Sequence, residues 1–133
     1  MQNRIVIFVS ILLVIAFLYV LVTPKIPTSM SSDIEADKRV ISFVYEALNM
    51  FEKDTGDYPT SLDYLYVRRK GDDLWKGPYL ANKINTNDSR GREWIYKYPH
   101  SCAINSGRPA FYSVGPNGID ECMGGDDIFF DFK

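Results

Sequence analysis

The run IVIFVSILLVIAFLYVLVT, from Ile5 to Thr23, carries no charge, and only Ser10 and Thr23 interrupt it as clearly polar residues. Coiled at about 1.5 Å per residue it reaches roughly 28 Å, close to the ~30 Å hydrocarbon core of a bilayer. A cleaved secretory signal has a shorter apolar region and a small-residue cleavage site. This run instead passes into Thr23-Pro24-Lys25-Ile26-Pro27, so it reads as a retained single-pass anchor. Charge counting leaves its orientation open, because Arg4 stands on one side and Lys25, Lys38 and Arg39 on the other.

Outward from the anchor, Pro24 and Pro27 make a break, and Thr28, Ser29, Ser31 and Ser32 offer capping groups for a new helix. Ile34, Ile41, Val44, Leu48 and Phe51 then fall on one helical stripe, with Asp37, Lys38, Glu46 and Lys53 mostly off it. This amphipathic helix should end near Thr55-Gly56, where glycine accepts the left-handed conformation, and Pro59 bars its resumption. The 133 residues leave room for one modest domain beside the anchor, which puts the anchor and break at 1–27 and the domain at 28–133. Ser61 to Val67 reads as a short helix, and Trp75 to Leu80 as a turn, broken at Gly77-Pro78, that delivers bulky groups to the core. Glu93 to Tyr98 and Ala110 to Val114 read as strands. Most of the Tyr, Phe and Trp residues lie beyond Val40, where a small domain needs bulk to close its core.

Several function classes are disfavoured. A formal charge of −2, from 15 Lys+Arg against 17 Asp+Glu, supplies no basic surface for nucleic-acid phosphates. His100 is the single histidine, stands after Pro99 in an expected turn, and has no catalytic motif around it. Asp126 and Asp127 are adjacent carboxylates, yet no apolar pocket around them can be argued from the chain, so acid–base catalysis is not expected. With one histidine and two cysteines, a closed zinc site lacks its fourth ligand.

Two features stand out in the last third. Cys102 and Cys122, the only cysteines, either stay free and buried or pair across a loop of about 20 residues, and pairing implies an oxidising compartment. From Asn117 to Asp127 the chain gathers Asp120, Glu121, Asp126 and Asp127 with the Asn117 amide, in a glycine-rich stretch without periodicity. Such carboxylates repel one another unless a cation sits among them, and Ca²⁺ takes six to eight hard oxygens. On composition, calcium and a solvated acidic turn both remain open; the EF-hand spacing is absent.

Six blocks, in order, carry a family resemblance: V-T-P-K-I at Val22–Ile26, A-L-N-M-F-E-K-D-T-G-D-Y-P-T at Ala47–Thr60, L-W-K-G-P-Y-L at Leu74–Leu80, D-S-R-G-R-E-W-I-Y-K-Y at Asp88–Tyr98, Y-S-V-G-P-N-G at Tyr112–Gly118, and G-G-D-D-I at Gly124–Ile128. The chain resembles the major pseudopilin of bacterial type II secretion systems. The resemblance implies an α+β, pilin-like fold, with a long N-terminal helix packed on a small antiparallel sheet and a C-terminal loop. It also implies a structural subunit, not an enzyme. Such a subunit sits in the bacterial inner membrane with its domain in the periplasm, and self-associates with other pseudopilins into a secretion filament. The competing reading is a monomeric, membrane-tethered binding module with the same fold. No small-molecule substrate is implied.

The resemblance further implies calcium in the loop, held by the carbonyl of Val114, the side chain of Asn117, Asp126 and Asp127, with the carbonyl of Ile119 a further ligand. Asn117 stands where the family has an aspartate, which removes one charge that Asp120 or Glu121 would have to restore. The family is made with a basic leader, a G-F-T-L-x-E-type processing site and a glutamate just after the cut. Met1 to Phe17 has none of these, so insertion is expected to rest on hydrophobicity.

Overall fold

The computed structural model describes residues 9, 11–19, 28–102 and 107–131. The chain divides into two units, Met1–Met30 and Ser31–Lys133. In the first, residues 9 and 11–19 are helical, and their apolar side chains, Leu12, Leu13 and Phe17 among them, are exposed. Among the described residues no helix is long and apolar enough to cross a membrane. The anchor expected from Ile5 to Thr23 lies half outside those residues, and the Pro24–Pro27 break entirely so.

The second unit is built on the part from Ser31 onward of one long helix, Thr28–Thr55. It stops where the sequence predicts, with Gly56 at φ +87° and its N–H donating to the Glu52 carbonyl. The apolar stripe does the packing expected of it. Ile41, Val44, Leu48 and Phe51 are buried, Tyr45 and Ala47 join them, and Ile34 packs at the margin.

Asp37 departs from the stripe pattern, since it is 1% exposed although it lies among the polar positions off the stripe. It accepts hydrogen bonds from the Ser89 N–H at 2.8 Å and from the Arg90 guanidinium at 3.3 Å. A buried carboxylate is tolerable only when paired in this way.

The helical stretch expected at Ser61–Val67 is a single 3₁₀ turn, Leu62–Leu65, whose N-cap hydroxyl of Ser61 accepts from the Asp63 N–H. Its Leu65, together with Leu80 from the following turn, enters the core under the long helix, and Trp75 and Tyr79 pack at its edge.

The sheet is a two-stranded antiparallel pair, β1 (Ile95–Lys97) and β2 (Ala110–Tyr112), in the register Ile95↔Tyr112, Tyr96↔Phe111 and Lys97↔Ala110. Both strands are shorter than their expected segments. Ser113 continues β2 only as an isolated bridge to Ile128.

β2 is buried at all three positions, and side-chain alternation explains how. Phe111 points into the core with the long helix, while Ala110 and Tyr112 belong to a second cluster with Cys102 and Met123. The sheet is therefore covered by the helix on one face and by the C-terminal loop on the other. Tyr45 stitches the layers, donating to the Pro109 carbonyl and accepting from the Phe111 N–H.

Candidate metal centre

The loop that covers the outer face of the sheet runs from Ser113 to Ile128 and is held at both ends. Ser113 and Ile128 exchange backbone hydrogen bonds at its neck. Cys102 and Cys122 are joined in a disulfide, Cα atoms 5.4 Å apart, that pins the loop to the segment leaving β1. Beneath the neck, the buried Asp88 accepts from the Ser113 hydroxyl at 2.6 Å and from the N–H groups of Arg90 and Arg92. Burial pushes the Asp88 pKa up most strongly, but these hydrogen bonds together outweigh it and leave the carboxyl below its ordinary value. The Arg92 guanidinium donates to the carbonyls of Gly115 and Pro116, so the first turn of the loop rests on a cation.

Glycine is required at the point of closest approach. Gly115 has φ +63°, and a Cβ there would overlap the backbone carbonyl of Asp126, bringing the two ends of the loop into contact. The return strand of the loop passes through two left-handed non-glycine residues, Cys122 at φ 58° and Met123 at φ 62°. This conformation is strained for such side chains. One oxygen of Asp127 accepts from both the Glu121 and Met123 N–H groups, at 3.1 and 2.9 Å, and so clamps the strained turn.

This folding brings Asn117, Asp126 and Asp127 close to one another, with Glu121 beside them. The Asn117 N–H donates to the Asp126 carboxylate at 2.9 Å, and the Asn117 side-chain amide donates to Glu121 Oε2 at 3.2 Å. Asn117 Oδ1 accepts from the Ile119 N–H at 2.7 Å, which ties Ile119 to the cluster through the amide, while the Ile119 side chain is exposed. Val114 is buried between the neck and Gly115.

Carboxylate oxygens of Glu121, Asp126 and Asp127 lie within 4.8 Å of one another. Asp127 is only 8% exposed, and its Oδ1, like Oδ1 of Asp126, is shut off from solvent without a hydrogen-bond partner. Burial above all, then the charges of Asp120 and Glu121, push the Asp127 pKa up against its two backbone hydrogen bonds. Buried oxygens left without a donor, beside converging carboxylates, are the chemistry that a hard cation satisfies. The donor set therefore fits calcium.

Asp120 stands apart from this group. It pairs with Lys97 at 2.8 Å and accepts from the Tyr112 hydroxyl at 2.6 Å, and these two contacts, Lys97 first, hold its pKa down at about 2. Its charge is spent on fastening the loop to the outer face of the sheet. Of the two residues that could restore the charge lost at Asn117, only Glu121 is placed at the cluster. No sequence signal distinguishes them, because both are acidic neighbours in one turn.

Residues 26–130 match the family described as type II secretion system (T2SS), protein G. The chain belongs to this family. Its fold matches the crystal structure of the major pseudopilin from the type 2 secretion system of enterohaemorrhagic Escherichia coli, with a TM-score of 0.52 over 80% of this chain and 92% of that one, at 20% sequence identity. The comparison with curated proteins gave no significant match. Membership in the protein G family makes the chain a structural pseudopilin subunit of the type II secretion kind. It carries with it association with other pseudopilins and secretion components, and a periplasmic, membrane-associated location.

Proposed function

We propose that this protein G relative is a structural subunit that assembles through its N-terminal helix into a periplasmic filament serving protein secretion, with calcium closing its globular end. In this reading the chain crosses the inner membrane once, through Ile5 to Thr23, with 1–27 the anchor and break and 28–133 the periplasmic domain. It performs no catalysis and takes no small-molecule substrate or nucleic acid.

The observation that carries the proposal is the Asp127 oxygen buried without a partner inside a carboxylate cluster, in a chain whose family is that of pseudopilins. Asp126 and Asp127 would hold the ion, with the carbonyls of Val114 and Ile119 as neutral donors and Asn117 at the mouth of the loop. When bound, calcium supplies the positive charge that lets these oxygens converge and draws the unpartnered ones into coordination. The residues of the chain do the rest: the disulfide, the Ser113–Ile128 neck and the Arg92 guanidinium hold the donors in place. Support for self-association comes from the long helix. It leaves Phe43 and Met50, seven residues apart and hence on one face, 55% and 44% exposed.

Amine-reactive crosslinking of membranes from cells expressing the full chain tests the assembly. A ladder of homo-oligomers that disappears when 5–23 are deleted is the expected result. A single monomer band would instead favour a tethered periplasmic binding module.

A further inference from the structure

We propose that in this chain the third acidic calcium ligand is Glu121, and that Asn117 is the residue that positions it. The inference rests on the calcium reading above and assigns roles within the same loop.

Asn117 stands where the resemblance implies a charged ligand, yet both ends of its side-chain amide are engaged within the loop. Its Oδ1 accepts from the Ile119 N–H at 2.7 Å, and its Nδ2 donates to Glu121 Oε2 at 3.2 Å. The same Glu121 oxygen accepts from the Asp126 N–H at 3.0 Å. Glu121 reaches this position by lying against Gly125, where any Cβ would overlap its carboxylate. Two donors and one glycine thus steer an otherwise exposed glutamate to the carboxylates of Asp126 and Asp127, within 4.8 Å. The independent sign that this cluster faces a ligand is Asp127, more than nine-tenths buried with Oδ1 unpartnered.

The exchange keeps the charge of the site. Glu121, Asp126 and Asp127 supply three carboxylates, so a neutral amide at position 117 costs the site no anionic ligand. An aspartate at 117 would lose the N–H that holds Glu121 and set a fourth negative charge beside it.

Calorimetric titration of the full chain with CaCl₂ tests this in wild type, Glu121→Gln, Asn117→Asp and Asp126→Ala/Asp127→Ala. Because ligand charge count tunes calcium affinity, Glu121→Gln should weaken binding about tenfold or more. Its glutamine oxygen can still accept from Asp126 and Asn117, so the fold is kept, which far-ultraviolet circular dichroism checks. Asn117→Asp should weaken binding or leave it unimproved. If Asn117→Asp binds more tightly while Glu121→Gln matches wild type, position 117 is the ligand and the assignment to Glu121 is wrong, with the calcium site intact. If wild type takes up no calcium at all, the calcium reading and this assignment fall together.

Discussion

Asp37 shows most directly how one residue holds the unit together. It lies on the long helix, 52 and 53 positions before the groups it binds, and joins that helix to the turn that leads into β1. Removing one partner of a buried ion pair leaves uncompensated polar groups and costs about 3–5 kcal/mol. Asp37→Ala should therefore lower the unfolding free energy of the full chain in urea by that order, through a lower midpoint at an unchanged m-value, and an effect under about 0.5 kcal/mol would place the pair among surface contacts. Hydrophobic periodicity cannot reveal such a residue, because a carboxylate at a core-facing position reads as a gap in the stripe. Tyr45 escaped in a similar way. It lies just beside the stripe, and what makes it a core residue is a pair of hydrogen bonds to Pro109 and Phe111, more than sixty residues ahead.

At the scale of elements, the long helix and its glycine stop were legible because period and cap act within a few neighbours. The strands were located but overextended, since their ends are decided by the loop. Ser113, directly after β2, pairs with Ile128 and not with the strand that β2 faces, and the sequence holds no local mark of that switch. The loop's second role, as the cover of the sheet's outer face, depends on Met123 and the disulfide and was equally out of reach. Replacing Cys102 and Cys122 by serine removes a closure of 20 residues, worth about 3 kcal/mol. Cys122 lies between Glu121 and the strained Met123, so the same change should also weaken calcium binding. A loss of stability with unaltered calcium affinity would confine the disulfide to a bracing role.

The helix end is fastened separately to the strand end. Tyr98 donates to Asp57 at 2.5 Å and the Tyr58 N–H donates at 2.8 Å, which lower the Asp57 pKa, the Tyr98 contact most. A depressed carboxylate stabilises the fold above its unfolded pKa, about 3.9, and that contribution fades as pH falls through the folded value. The stability difference between wild type and Asp57→Asn should thus be constant near neutrality and shrink below about pH 4. A difference that persists at pH 2 would assign the effect to packing.

For the whole molecule, the layers of the second unit converge on one end. The helix buries one face of β2, the loop buries the other, and among the described residues the loop's buried side-chain atoms without a partner are Oδ1 of Asp126 and Oδ1 of Asp127. The acidic loop itself was legible as a candidate for calcium, since its carboxylates lie within one short stretch from Asn117 to Asp127. The partition of roles between Asn117, Asp120 and Glu121 required the fold, because only the fold sends Asp120 to Lys97 and Tyr112 and Glu121 to Asp126. The central claim is that calcium completes this end of the subunit. Thermal unfolding of the full chain with excess Ca²⁺ and with a chelator, in wild type and in Asp126→Ala/Asp127→Ala, tests it most directly. At a hundredfold excess over its dissociation constant, a ligand specific for the folded state adds about 2.7 kcal/mol, so the wild-type midpoint should rise by several degrees and the double variant should not respond. Coincident wild-type curves would contradict the claim and make the loop a solvated acidic turn.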